Sequence, residues 1–164
     1  MKLKIIGALT SMLTIGFLLL VVIEVPALTV TSEGETQAFF PYKDGAEFSI
    51  RWQHSVEKED WEEMFVLKNK EIELSGTRFK TFGAGVPNDT GEDTYIKDGW
   101  VYMTEINRVI GKQLSIRSGK STNHRFIYEK DTTLPLKANR SYQLTVKNYS
   151  LLYSLKEYIT AKMR

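Results

Sequence analysis

The chain has 164 residues, 42% hydrophobic, 26% charged and 12% aromatic, which suits one domain and excludes a disordered or collagenous chain and a multi-pass membrane protein. Its 22 Lys and Arg against 20 Asp and Glu give a net charge of +2, too little to imply a nucleic-acid partner. There is no Cys, which removes disulfides, thiolate metal sites and a cysteine nucleophile, and only two His, His54 and His124.

The first element is apolar. Ile5 to Ile23 are nineteen residues without a charge, preceded by Lys2 and Lys4 and followed by Glu24 and Pro26. At about 1.5 Å per residue such a helix is about 28 Å long, close to the ~30 Å hydrocarbon core of a bilayer. Basic residues before it and acidic ones after it place the N terminus in the cytoplasm and the rest outside. A cleaved signal peptide is the competing expectation, because Val25-Pro26-Ala27 offers small residues for cleavage and would release a secreted domain. The apolar run is longer than a signal core and Pro26 falls inside that motif, so a single-pass cell-membrane anchor, residues 1–24, is favoured. Residues 25–164 then form an extracytoplasmic domain with 20 basic and 19 acidic residues, once Lys2, Lys4 and Glu24 are set aside.

From Leu28 onward the texture is short alternating stretches broken by Gly, Asp, Asn and Ser. Strands are expected at Leu28–Thr31, Glu47–Val56, Trp61–Asn69, Ile72–Phe82, Thr94–Lys97, Trp100–Asn107, Gln113–Arg117, Arg125–Glu129 and Tyr142–Lys147. The fold class is mainly β, an antiparallel sandwich or barrel. Asp98-Gly99 suits a type I′ turn pairing Lys97 with Trp100 and Tyr95 with Tyr102. Leu151, Leu152, Leu155, Tyr158 and Ile159 recur at helical spacing and predict a short C-terminal amphipathic helix. It is expected to dock on the β domain, with a membrane surface as the alternative.

In the first long strand Phe48, Ile50, Trp52, His54 and Val56 share the core face, and Trp61, Phe65 and Leu67 share parity on the next. A four-residue loop, Glu57 to Asp60, would pair Val56 with Trp61, Trp52 with Phe65, Ile50 with Leu67 and His54 with Glu63. An imidazole and a carboxylate meeting on a core face form a satisfied structural bond, a ligand site or, with a nearby hydroxyl, a base. Ser55 is a poor nucleophile for His54, since adjacent strand residues point to opposite faces. Gly83-Ala84-Gly85, before Val86-Pro87, suits either a tight bend or a nest of backbone N–H groups for an anion. His54, Glu63, Gly83, Ala84 and Gly85 are the candidate ligand-binding residues. Gly119-Lys120-Ser121 and Asp89-Thr90-Gly91 lack the surroundings of a phosphate loop and an aspartic-protease triplet, and no metal or cofactor is expected.

The stretches Phe48-Ser49-Ile50-Arg51-Trp52-Gln53-His54-Ser55-Val56-Glu57, Glu62-Glu63 and Phe79-Lys80-Thr81-Phe82-Gly83-Ala84-Gly85-Val86-Pro87 resemble the bacterial family called domain of unknown function 1850, over roughly residues 28–147. The resemblance implies a small exported or anchored protein encoded beside tripartite ATP-independent periplasmic (TRAP) transporters of the TAXI type. The expected function is a non-enzymatic accessory or small-solute-binding protein at the membrane. Its expected partners are a TRAP permease or solute-binding subunit and a small organic acid, with no nucleic acid. The alternatives are an exported hydrolase with His54 as base and a structural module docking on a membrane partner.

Overall fold

The structure is a computed structural model that describes residues 2–80 and 92–162. A helix α1 (Lys2–Val22) leads, after Ile23 alone, into the first of eleven described strands, β1 (Glu24–Ser32). There follow β2 (Glu35–Pro41), β3 (Glu47–Gln53), β4 (Asp60–Lys68), β5 (Glu71–Phe79), β6 (Asp93–Lys97), β7 (Trp100–Gly111), β8 (Gln113–Arg117), β9 (Arg125–Tyr128), β10 (Thr132–Pro135), β11 (Ser141–Ser150) and a terminal helix α2 (Leu151–Lys162). Two strands, β2 and β10, had no counterpart in the sequence reading.

The strands form two antiparallel sheets, a four-stranded one ordered β2-β1-β11-β8 and a seven-stranded one ordered β10-β9-β3-β4-β5-β7-β6. Neither closes on itself, so of the two expected architectures the sandwich is the one formed. Between them lie Leu28, Val30, Leu144 and Val146 from the small sheet and Phe48, Ile50, Phe65, Leu67, Ile72 and Phe126 from the large one, all essentially buried. Phe48 holds this core together, stacking on Phe65 at 5.0 Å and meeting Phe126 at 5.5 Å. A smaller cluster of Phe79, Val101 and Met103 packs with Trp61 on the same face of the large sheet, farther along β4, β5 and β7.

Short turns set the registers. Glu33-Gly34, Asn69-Lys70 and Asp98-Gly99 each carry two positive φ values, the type I′ geometry whose twist matches a hairpin. Asp98-Gly99 pairs Lys97 with Trp100 and Tyr95 with Tyr102, as its residue types require. Strand β2 escaped the sequence reading because a glutamate fills the first positive-φ position, where Asn or Asp is the usual sign of a turn.

The β3–β4 register departs from expectation. Strand β3 stops at Gln53, and a six-residue segment, 54–59, closes on His54 N–H···O=C Glu59 at 2.7 Å. Trp52 therefore faces Trp61, Phe48 faces Phe65, and Glu63 faces Ile50 instead of His54. The gain is aromatic: Trp52 and Trp61 stack at 5.6 Å, an arrangement that a Trp52–Phe65 and Val56–Trp61 register forgoes. Val56, placed on the core face by alternation, is 72% exposed in the turn.

Phe126→Ala removes a fully buried ring from the centre of the sandwich. The expected cost is about 3–5 kcal/mol in urea unfolding, read as a lower midpoint at unchanged slope.

Candidate functional site

The outer face of the large sheet, turned away from the sandwich core, carries one continuous rung of side chains. Successive registers align Pro135, Arg125, Arg51, Glu62, Arg78, Tyr102 and Tyr95 across all seven strands. Glu62 is 6% exposed and is held from both sides. Ser49 Oγ donates to it at 2.6 Å, and Arg78 donates Nε (2.9 Å) and Nη2 (2.5 Å) to a single carboxylate oxygen. Arg78 Nη1 donates to the Tyr102 hydroxyl at 2.8 Å. Burial acts to lower the Arg78 pKa, but these bonds outweigh it, so the guanidinium is held above its ordinary range.

Arg51 donates Nη2 to the Asp60 carboxylate. It also lies over the Trp100 ring at 5.1 Å, beside Arg78 at 4.4 Å and Lys80 at 5.3 Å, so three cations converge on one indole. Arg51 is directly opposite Arg125, an arrangement of like charges that costs stability unless an anion intervenes. The Nε atoms of Arg51 and Arg125 are buried without a hydrogen-bond partner among the described residues. Beside this rung opens a basin of about 530 Å³, walled by Ser49, Arg51, Glu62, Met64, Arg78 and Tyr102 and rimmed by Glu47, Glu129 and Lys130. Gly76, paired with Met64 of that wall, leaves no room for a side chain, since a Cβ there would come within 2.9 Å of the Met103 carbonyl oxygen and the Met64 Cε.

The His54 region is different in character. His54 Nδ1 is paired with the Glu57 carboxylate three residues on, and the Glu57 backbone nitrogen points its N–H at the same atom from 3.5 Å. The imidazole stacks at 6.0 Å on Trp61, which stacks on Trp52, which in turn stacks on His124 at 5.7 Å. The two histidines thus cap opposite ends of a tryptophan pair. The space at His54, between Glu57, Asp60, Trp61 and Lys80, is about 10 Å³, room for one water. His124 Nδ1 is 2.8 Å from Thr122 Oγ1, and burial lowers its pKa.

The expected His54–Glu63 pair does not form. The six-residue turn carries the imidazole past the end of β4, and Glu57, from the same turn, takes the place assigned to Glu63. Glu63 stays on the inner face opposite Ile50 and Thr77, where burial raises its pKa and Arg108 pulls the other way. Gly83, Ala84 and Gly85 lie outside the described residues. Arg51, Glu62, Arg78 and Arg125 were missed because alternation alone makes them an ordinary solvent-facing row. Their signal is the pairing of opposite charges across three strands, visible only once the register is right.

Fold and site together define a two-sheet β domain behind an apolar N-terminal helix, with a charged basin on the larger sheet. The family model described as Domain of unknown function (DUF1850) matches residues 48–136, more than half of the chain, and the protein belongs to that family. The match takes in β4 to β10 and all but the first residue of β3, so it covers the large sheet with its whole rung and leaves out β1, β2, β11 and both helices. Comparisons with curated proteins and with solved structures gave no match.

Two consequences are measurable. Arg78→Leu strands the Glu62 carboxylate, whose side chain is 8% exposed, and is expected to cost about 3–5 kcal/mol in chemical denaturation. Glu63 has a folded-state pKa above its ordinary 4.5, so its contribution is full below that value and is lost as pH rises through the raised one. Glu63→Gln removes that loss. The variant should melt higher than the parent at pH 7, with the difference closing toward pH 4 in a series of thermal scans.

Proposed function

We propose that this protein is a membrane-anchored, extracytoplasmic binding protein for a small carboxylate, held in the basin on the outer face of the large sheet. The observation that carries the reading is the arginine pair. Two guanidinium groups stand opposite each other on β3 and β9, Arg51 in the basin wall and Arg125 next to it, with both Nε donors buried and unsatisfied among the described residues. A buried donor left unpaired costs about 1–3 kcal/mol, and a carboxylate oxygen accepting from it returns that energy. The basin's ~530 Å³ falls in the range of small-molecule sites, and Met64, Phe65 and the Tyr102 ring supply apolar wall beside the charges.

Anchoring rests on α1, whose Ile5–Val22 segment has a mean hydropathy of 2.5 and no burial within the protein. Lys2 and Lys4 before it put the N terminus in the cytoplasm under the positive-inside rule. Retention of the helix is favoured over cleavage because Val25, Pro26 and Ala27 are paired with β11, and Ala27 is fully buried. Cutting there would strip the start of a central strand. Given the transporter context that the family resemblance implies, the partner is the permease or solute-binding subunit of a TRAP-type uptake system.

A hydrolase using His54 as base is the weaker reading: Glu57 on Nδ1 would orient the ring and leave Nε2 as the base, but the adjoining recess admits a water and no substrate.

The test is a thermal-shift screen of the detergent-solubilised full chain against mono- and dicarboxylates and amino acids. At least one compound should raise the melting temperature saturably, by about 2.7 kcal/mol of apparent stability at 100 times its Kd. The shift should vanish in the Arg51→Gln, Arg125→Gln double variant and persist in His54→Ala. No shift with any compound, or one untouched by the double variant, would remove the proposal.

A further inference from the structure

Helix α2 packs one face on the small sheet and exposes much of the other. Tyr153 stacks on Tyr149 at 5.0 Å, meets Phe39 edge-on and hydrogen-bonds Thr36 at 3.0 Å. Ser154 is buried, and the Glu157 side chain is 15% exposed. Leu152, Leu155, Tyr158 and Ile159 occupy the remaining arc and are 39 to 56% exposed. Four large apolar side chains on one face of a twelve-residue helix form an exposed stripe that an aqueous surface does not favour.

The position of α2 indicates what covers that stripe. The backbone N–H of Leu151, its first residue, donates to the carbonyl of Ile23 at 2.7 Å, and Ile23 is the residue that follows α1. β1 and β11 are paired from Glu24 opposite Ser150, so both helices join the sandwich at the same edge. An 18-residue span from Ile5 to Val22 rises about 27 Å, which brings Ile23 to the boundary of the hydrocarbon core. The start of α2 is tied to that boundary by one hydrogen bond. It therefore begins in the headgroup layer, about 5–7 Å thick on each side, where apolar side chains, tyrosine and snorkelling lysines such as Lys156 are all accommodated.

We infer that α2 is an interfacial helix, its Leu152–Leu155–Tyr158–Ile159 face resting in the headgroup and upper acyl region of the bilayer that α1 crosses. The inference rests on the reading of α1 as a span. It makes the membrane contact two-point: a span and a surface helix meeting at Ile23 and Leu151.

The absence of Cys permits single labels on the full chain. Leu155→Cys, Ile159→Cys, Met12→Cys and Ile96→Cys, each carrying an environment-sensitive fluorophore, are reconstituted into vesicles of phosphatidylcholine and phosphatidylglycerol with nitroxides at headgroup or mid-acyl depth. Ile96, 74% exposed on β6, reports water, and Met12 reports the span. Expected are blue-shifted emission at 155 and 159 quenched chiefly by the headgroup nitroxide, quenching at 12 by the mid-acyl one, and neither at 96. Quenching at 12 with water-like emission at 155 and 159 would overturn the inference and leave the span standing. A blue shift at 155 and 159 without lipid quenching would place a protein surface, such as a second copy, over the stripe and likewise overturn it. Absence of quenching at 12 would remove the span itself, and the inference with it.

Discussion

The stacking of Trp52 on Trp61 fixes more of this molecule than any other single contact. It aligns β3 with β4, and that alignment determines which side chains meet on both faces of the large sheet. On the inner face it brings Phe48 over Phe65 and sets the sandwich core. On the outer face the same register brings Arg51 beside Glu62, and β5 continues it to Arg78. A slip of two residues along either strand would keep every residue on its proper face while dissolving the charged rung, so the aromatic pair selects among registers that hydrophobic alternation leaves equivalent.

Glu62 illustrates why the rung is rigid. A carboxylate this buried is tolerated because Ser49 and two nitrogens of Arg78 satisfy its oxygens, and the Arg78 fork is steadied in turn by Tyr102 and the Trp100 ring. Asp60 partly satisfies Arg51, and Arg125 gains neither of these acids. The charge imbalance is therefore local, displaced toward the β3–β9 side, and it coexists with a chain that is almost neutral as a whole. Net charge is a poor guide to a site of this size, because two guanidinium groups on one rung vanish in an average over 164 residues.

Much of the fold was legible because it is written in period and turn chemistry. The apolar run before Glu24, the Asp98-Gly99 hairpin, the Phe48–Ile50–Trp52 face and the C-terminal helical spacing all act over a few residues. The rest depended on quantities that act at a distance. The length of the turn after Gln53 is set by a backbone bond between His54 and Glu59 that no residue type announces, and it decided whether His54 met Glu63 or Glu57. β10 follows a three-residue loop in which Glu129 and Lys130 hold positive φ without a glycine, so nothing local marked it. The rung is a property of six strand pairings at once, and one wrong register was enough to hide it.

A single residue, Ile23, separates α1 from β1, and Ala27 and Leu28 are already fully buried. With α1 in a bilayer, the domain is a fixed projection and not a buoy on a line: it has almost no slack with which to tilt, rotate about its tether or change its height. The basin would then face a constant direction at a constant distance from the lipid. A partner lodged in the same membrane would find it by lateral diffusion with much of the orientational entropy of docking already spent, whereas a partner anchored to nothing would gain no such advantage.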